Sequence, residues 1–474
     1  FGWNPSNIMG LADLYRATRD ARYLELAGIF VDMRGSAPGG SDLTQDHVPL
    51  REETMAVGHC VCATYLYCGA ADVYAETGEK ALLDALERIW RDMTAGRMYI
   101  TGAIGSFRNG KSPRGDSVHE AFGAAWELPS RTAYNETCSN IGNAMWSRRM
   151  LAVTGDAKYA DLMERVLYNS MLSAVGVDGK GYFYCNPLSW DGSASGPSMH
   201  HTALRWSIHR CFCCPPQVAR TIAKLHGWAY GVSDEGVWVN LYGGSALETA
   251  GAGGGRLKLV QQTDYPWDGR VRITLEPARP SEFAVMLRIP GWAKGAGVKI
   301  NGRPVDAEVR PGTYLPLRRK WSAGDAIELD LPMKVRLMEA HPSAKELRGK
   351  VAVMRGPVVY CLESPDLPEG VALDEVAIPP GIELTPRYQK GLLGGVTVLR
   401  GQALGAGARS PRAAPAAKAG WNGVLYRELN VAKGGRPPEG RKVGITLIPY
   451  YAWANRGISH MSVGLPLAGG AGGP

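Results

Sequence analysis

Along the first half of the chain apolar residues recur at intervals of three and four, and beyond about residue 231 they alternate in short runs. Over residues 11–30, 72–90 and 150–167 the pattern reads as helix, short polar turn, helix. The turns are Thr18-Arg19-Asp20, Thr77-Gly78-Glu79 and Thr154-Gly155-Asp156. Gly78 and Gly155 stand where a helix can end in the left-handed conformation, which glycine adopts without steric cost. Three such αα-hairpins are too widely spaced for a tight solenoid with a repeat of about 34 residues. Separated by long loops, they predict a helical toroid of the (α/α)-barrel type, with its site in a central cavity lined by loops and inner-helix ends. Stacked helical repeats are the alternative.

Residues 237–242, 256–264, 270–275, 283–289, 298–300 and 326–331 are short, β-rich and punctuated by Gly, Pro and Asp. Asn301-Gly302 has the chemistry of a tight hairpin turn. This region reads as a β-sandwich. A second β-like set follows at 350–362, 396–400 and 443–450. Residues 401–420, rich in Ala and Gly, read as a loose loop, and 464–474 as a disordered tail. The expected class is α + β multidomain: a helical catalytic toroid over 1–230, a β-sandwich over 231–340 and a second β-rich domain over 341–474.

Composition narrows the function classes. The 474 residues are 45% hydrophobic and 21% charged, ordinary for a globular protein of two or three domains. The net charge of +8 is dispersed, with no Lys/Arg run interleaved with aromatics, so nucleic acid is not an expected partner. No run of 18 apolar residues occurs, so no membrane-spanning helix is expected. The chain opens at Phe1 in what reads as mid-domain sequence, so an amino-terminal portion, and any signal peptide, is expected to precede it.

Nine cysteines is an odd count, and nothing suggests the disulfide framework of a small secreted domain. Cys60, Cys62 and Cys68 fall in a helical pattern and Cys361 in a strand-like run, so all four read as small buried hydrophobes. Cys185 is left unassigned. A reducing compartment or metal-protected thiols fit this usage. The bacterial cytoplasm is favoured, with the periplasm and secretion left open.

The remaining cysteines carry chemistry. Cys213 and Cys214 are adjacent in Cys211-Phe212-Cys213-Cys214-Pro215-Pro216, where a disulfide would be strained. With Glu136 and Cys138 upstream they offer three thiolates and a carboxylate, enough to close a tetrahedral zinc site; burial for packing is the alternative. Four protein ligands leave no open position for water, so zinc would hold a thiolate ready as nucleophile. Glu120 lies in Gly115-Asp116-Ser117-Val118-His119-Glu120-Ala121-Phe122-Gly123, which reads as a polar loop entering an apolar turn. A glutamate there suits the acid that sugar cleavage needs, or merely a helix cap or a solvated surface. Trp126, Tyr134, Trp146, Tyr184, Trp190 and Trp206 are dense in the same half, as where sugar rings stack or a core packs. His59 suits a cavity lining, and His119, His200, His201 and His209 have no assigned role.

Several motifs in one order carry a resemblance. They are Val57-Gly58-His59, Met98-Tyr99-Ile100-Thr101-Gly102-Ala103-Ile104-Gly105, His119-Glu120-Ala121-Phe122-Gly123, Tyr134-Asn135-Glu136-Thr137-Cys138 and Cys211-Phe212-Cys213-Cys214-Pro215-Pro216. Leu287-Arg288-Ile289-Pro290-Gly291-Trp292-Ala293 and Pro449-Tyr450-Tyr451-Ala452-Trp453-Ala454-Asn455-Arg456-Gly457 extend it into the β region. Together they resemble glycoside hydrolase family 127, the β-L-arabinofuranosidase-like proteins, over most of the chain.

The resemblance implies an (α/α)₆ barrel, here amino-terminally incomplete, followed by β-sandwich domains. It implies zinc on Glu136, Cys138, Cys213 and Cys214, with Cys213 as nucleophile and Glu120 as acid/base. His59, Tyr184 and Glu136 are the implied substrate contacts. The loop 106–117 is longer than the connection typical of the family. The expected activity is a retaining exo-glycosidase releasing β-linked L-arabinofuranose or a similar plant-derived sugar from an oligosaccharide or glycoside. A lyase or epimerase acting on acidic sugars, and an inactive truncated homologue that binds carbohydrate with a structural zinc, are the alternatives. A homodimer is compatible with this reading.

Overall fold

The computed structural model describes residues 3–207, 211–250, 255–405, 420–430 and 440–469. Its helical part contains α1 (Ser6–Thr18), α2 (Ala21–Asp32), α3 (Cys60–Thr77), α4 (Lys80–Gly96), α5 (Thr137–Thr154), α6 (Ala157–Val166) and α7 (Cys214–Lys224). Helix α3 packs between α1 and α5, and α5 packs on α7, while α2, α4 and α6 lie against this row from outside. Composition explains the two rows. Helices α3 and α5 carry small and apolar residues on nearly every side and are buried along most of their length. Glycines set the approach of neighbouring axes: a Cβ at Gly69 would meet Ile8 Cβ at 2.6 Å, and one at Gly142 would meet Thr64 Oγ1 at 2.2 Å. Helix α4 instead buries one stripe that includes Leu82, Leu86, Ile89 and Met93. Gly78 and Gly155 end α3 and α5 in the left-handed conformation, with φ of 69° and 68°.

Residues 115–123 depart from the expected loop. They contain β2 (Ser117–Ala121), paired antiparallel with β1 (Phe107–Lys111). The long 106–117 connection is therefore a two-stranded ribbon. Its alternation of buried Val118 with exposed Ser117 and His119 is too short to register in sequence, and it breaks at Glu120.

The sandwich consists of a six-stranded and a four-stranded sheet closed over one core that includes Val237, Ile273, Leu287 and Trp321. Asn301 and Gly302, with φ of 51° and 78°, turn the strand Gly297–Ile300 back onto Arg303–Pro304. The strand Thr313–Trp321 pairs along its whole length with Ser281–Ile289, although Arg318-Arg319-Lys320 hides it from an apolar pattern.

The last unit is built on a ten-stranded sheet. Val335–Ala340 pairs with Lys350–Arg355 in that sheet, so the strand that a division at 340 gives to the sandwich belongs here. Of the expected loose loop, residues 401–404 continue the strand Val396–Leu404, while 406–419 lie outside the described residues. Of the expected disordered tail, Leu465–Pro466 pairs with Lys350 and Val351, and 470–474 lie outside the described residues. Among the described residues no helix is long and apolar enough to cross a membrane.

Buried polar and aromatic contacts tie the β units to the helical unit. Arg288, wholly buried in the sandwich, reaches Asp161 and Glu164 of α6 at 2.6 Å each and donates from Nε to the Asn240 carbonyl. In the last unit, Trp453 stacks on Phe183 at 5.0 Å and Tyr450 donates to the Pro187 carbonyl at 2.9 Å. Arg288→Met would strand two carboxylates, one of them fully buried. It is expected to cost about 3–5 kcal/mol in urea unfolding, and a loss under about 1 kcal/mol would show that the bridge does not join the two units.

Candidate active site

Three inner helices begin at one place. His59 is the N-cap of α3, Glu136 of α5 and Cys213 of α7. All three line a cavity of about 890 Å³ together with Glu120, Cys138 and Tyr184. Glu136 and Cys213 make no side-chain capping bond, so both are free to face the cavity. Asn135, with φ of 38°, turns the chain sharply into α5; Asn tolerates this conformation better than most residues. Pro215 and Pro216 occupy the first turn of α7, where their missing N–H groups cost nothing.

Glu136, Cys138, Cys213 and Cys214 form a compact donor set, with all ligand atoms within 4.8 Å of one another. The Cys214 sulfur lies 3.6 Å from those of both Cys138 and Cys213. Glu136 Oε1 lies 3.5 Å from Cys213 Sγ and 3.8 Å from Cys214 Sγ. A tetrahedral ion with metal–sulfur bonds of about 2.3 Å separates its sulfurs by about 3.8 Å, close to these spacings. Glu136 Oε2 is buried without a hydrogen-bond partner. An orphaned carboxylate oxygen beside three thiols is a site that fits a cation.

The thiols are not equivalent. Hydrogen bonds from Cys138 and Cys214 outweigh burial at Cys213 and hold its pKa at about 2, and the N-terminus of α7 also favours the anion. Cys213 is open to the cavity, whereas Cys138 and Cys214 are buried. Cys138 is raised well above the ordinary thiol value, chiefly by Cys213, and Cys214 chiefly by burial. A fourth thiol, Cys211, stands 3.5 Å from Cys213 Sγ.

Glu120 faces the same cavity from β2, with φ of 52°. Its Oε2 lies 2.7 Å from His59 Nε2, and its Oε1 accepts from Tyr134 Oη at 2.9 Å and Tyr184 Oη at 3.0 Å. His59 Nδ1 accepts from the Cys62 N–H, which leaves Nε2 to donate to Glu120. Burial alone would raise Glu120, but His59, Glu136 and Tyr134 hold it at about 2. Glu136 is pushed well up by burial and by the charge of Glu120. The pair thus keeps its proton on Glu136 when no cation is bound. The ribbon is anchored below Glu120, where Arg114 reaches Asp42 and Glu53 and Asp116 accepts from the Asp42 N–H.

All seven residues singled out in sequence meet here: Glu120, His59, Tyr184 and the four donors. Tyr134, which the sequence offers as an aromatic and as the first residue of the 134–138 motif but with no role of its own, is a direct partner of Glu120. His200 stacks on Tyr184 at 4.4 Å, a contact between distant segments that no local pattern carries. His201 is held by Ser198 and the Ala133 carbonyl, and burial lowers it to about 4. His209 lies outside the described residues.

Comparison with known proteins covers all three units. The pattern described as "Beta-L-arabinofuranosidase, GH127 catalytic domain" matches residues 3–227, the GH127 middle domain 236–333 and the family's C-terminal domain 335–466. A non-reducing end β-L-arabinofuranosidase of Bifidobacterium longum subsp. longum is 33% identical over 97% of this chain and 70% of its own length. A solved structure named as a glycoside hydrolase is 45% identical with a TM-score of 0.88, covering 98% of this chain and 75% of that one. A GH127 β-L-arabinofuranosidase from Geobacillus stearothermophilus T6 is 37% identical with a TM-score of 0.84, covering 97% of this chain and 71% of that one.

Burial and neighbouring charge raise Glu136, Cys138 and Cys214, so a cation bound there displaces the protons of the two thiols, while that of Glu136 can pass to Glu120. Titration with zinc in weakly buffered solution at pH 7 is expected to release about two protons per ion, one from each of these thiols, with affinity falling as pH falls. Binding without proton release would place the ion elsewhere.

Proposed function

The chain belongs to glycoside hydrolase family 127, and from that membership we propose that it is a retaining exo-glycosidase releasing β-linked L-arabinofuranose. Cys213 is the nucleophile, Glu120 the acid/base, and Glu136, Cys138, Cys213 and Cys214 the ligands of a zinc ion. The observation that carries this reading is one cavity holding an open thiol, which its neighbours favour as the anion, and a carboxylate oriented by three side chains. Bound zinc would supply charge that keeps the cysteines as thiolates and tunes the nucleophilicity of Cys213.

The chain's own residues carry the steps. With Glu136 committed as a ligand carboxylate, the proton shared by the two acids belongs on Glu120, which is the form an acid needs. Cys213 Sγ attacks the anomeric carbon while Glu120 protonates the departing oxygen, so a C–S bond forms as the C–O bond breaks. Glu120, now a carboxylate, takes a proton from the attacking water; the new C–O bond forms and Cys213 leaves as thiolate. Two inversions give net retention. His59 and the two tyrosines hold Glu120 in place through both steps. Tyr184, His59 and Glu136 line the cavity and are the proposed contacts of the bound sugar.

The test pairs two variants. Cys213→Ser is expected to lower turnover of an aryl β-L-arabinofuranoside by at least about 10³-fold, and a cyclophellitol-type probe should label Cys213 in the unmodified protein, seen by peptide mass. Glu120→Gln should slow a methyl glycoside far more than an aryl glycoside, whose leaving group needs little protonation. Full activity of Cys213→Ser would reject the nucleophile assignment.

A further inference from the structure

Two consecutive residues of β2 touch the same histidine. Glu120 Oε2 lies 2.7 Å from His59 Nε2, and the His119 ring meets the His59 ring edge-on at 4.9 Å. In a regular strand neighbouring side chains point to opposite faces. The left-handed φ of Glu120, 52°, breaks that alternation and brings both side chains to one flank of His59. Trp3 joins them: its ring stacks flat on His119 at 5.3 Å and 4° and stands edge-on to His59 at 5.6 Å. Aromatic rings gathered around the histidine that holds the acid offer faces on which a ring can stack.

The position of this stack relative to the acid gives it a role. Oε1 of Glu120 is taken up by Tyr134 and Tyr184, and the Tyr184 carbonyl accepts from the Thr137 N–H, beside the donor cluster. Oε2 instead meets His59, whose ring is met in turn by those of His119 and Trp3. A departing group lies beyond the oxygen that the acid protonates, on the side away from the attacking thiolate. From this geometry we infer that Trp3 and His119 form the binding site for the leaving group, taking a sugar ring or an aromatic aglycone by stacking. The inference rests on the roles proposed above for Glu120 and Cys213, and adds residues that set which glycosides are cleaved.

The test compares a β-L-arabinofuranosyl disaccharide with methyl β-L-arabinofuranoside, because both leaving groups need the acid and only one offers a ring to stack. Trp3→Ala and His119→Ala are each expected to lower the ratio of kcat/KM for disaccharide over methyl glycoside by about three- to tenfold, mostly through KM, and Trp3→Tyr should restore most of it. Equal losses on both substrates would mean that the stack only supports His59, and unchanged values on both would place it off the path of the leaving group. Either result overturns the inference and leaves the proposed function standing. Absence of turnover of either substrate by the unmodified chain would overturn both.

Discussion

Glu120 and Glu136 face one small cavity beside three thiols, and burial forbids all five groups from ionising together. Much of the local structure is an answer to that constraint. Charge is favoured at Cys213, which opens to the cavity at the start of α7, and at Glu120, which receives three side-chain donors or partners. It is suppressed at Glu136, Cys138 and Cys214, which are buried beside those anions. A cation at the donor set would reverse the second group's preference, so ligand binding and proton placement are one equilibrium rather than two.

The surrounding architecture keeps that balance fixed in space. Three inner helices bring their N-termini to the site, and the close approach of Gly142 to Thr64 packs α5 on α3. The β units act at a distance. Trp453 packs on Phe183, next in sequence to Tyr184, and Tyr450 holds the Pro187 carbonyl. Arg205 spans the same junction, bonding the Ser173 carbonyl on one side and those of Trp453 and Tyr451 on the other. Arg288 joins the sandwich to α6 through two carboxylates. The late motifs 287–293 and 449–457 therefore serve the site by fixing the segments that carry it.

Legibility in sequence followed the range of the interaction. The αα-hairpins showed because helical periodicity and the turn glycines are local signals, and Asn301-Gly302 marked its hairpin for the same reason. The strand Thr313–Trp321 was hidden by its exposed arginines, and Val335–Ala340 could be assigned to the last sheet only from its partner strand. In the site, the adjacent cysteines and Glu136-x-Cys138 were visible as a donor set because their chemistry is unusual. The setting of Glu120 was not visible: its strand is five residues long and interrupted at the functional position itself.

By itself the sequence determined the class of elements, the identity of the metal-type donors and the candidate acid, because residue chemistry and periodicity are written along the chain. Tertiary structure alone decided which oxygen of Glu120 meets His59 and which the tyrosines, which cysteine is open and which buried, and that Trp3 lies on His119. Each of those facts depends on contacts between segments that are separate along the chain. No local pattern encodes such a contact, since packing of the helices and the ribbon is what brings the segments together.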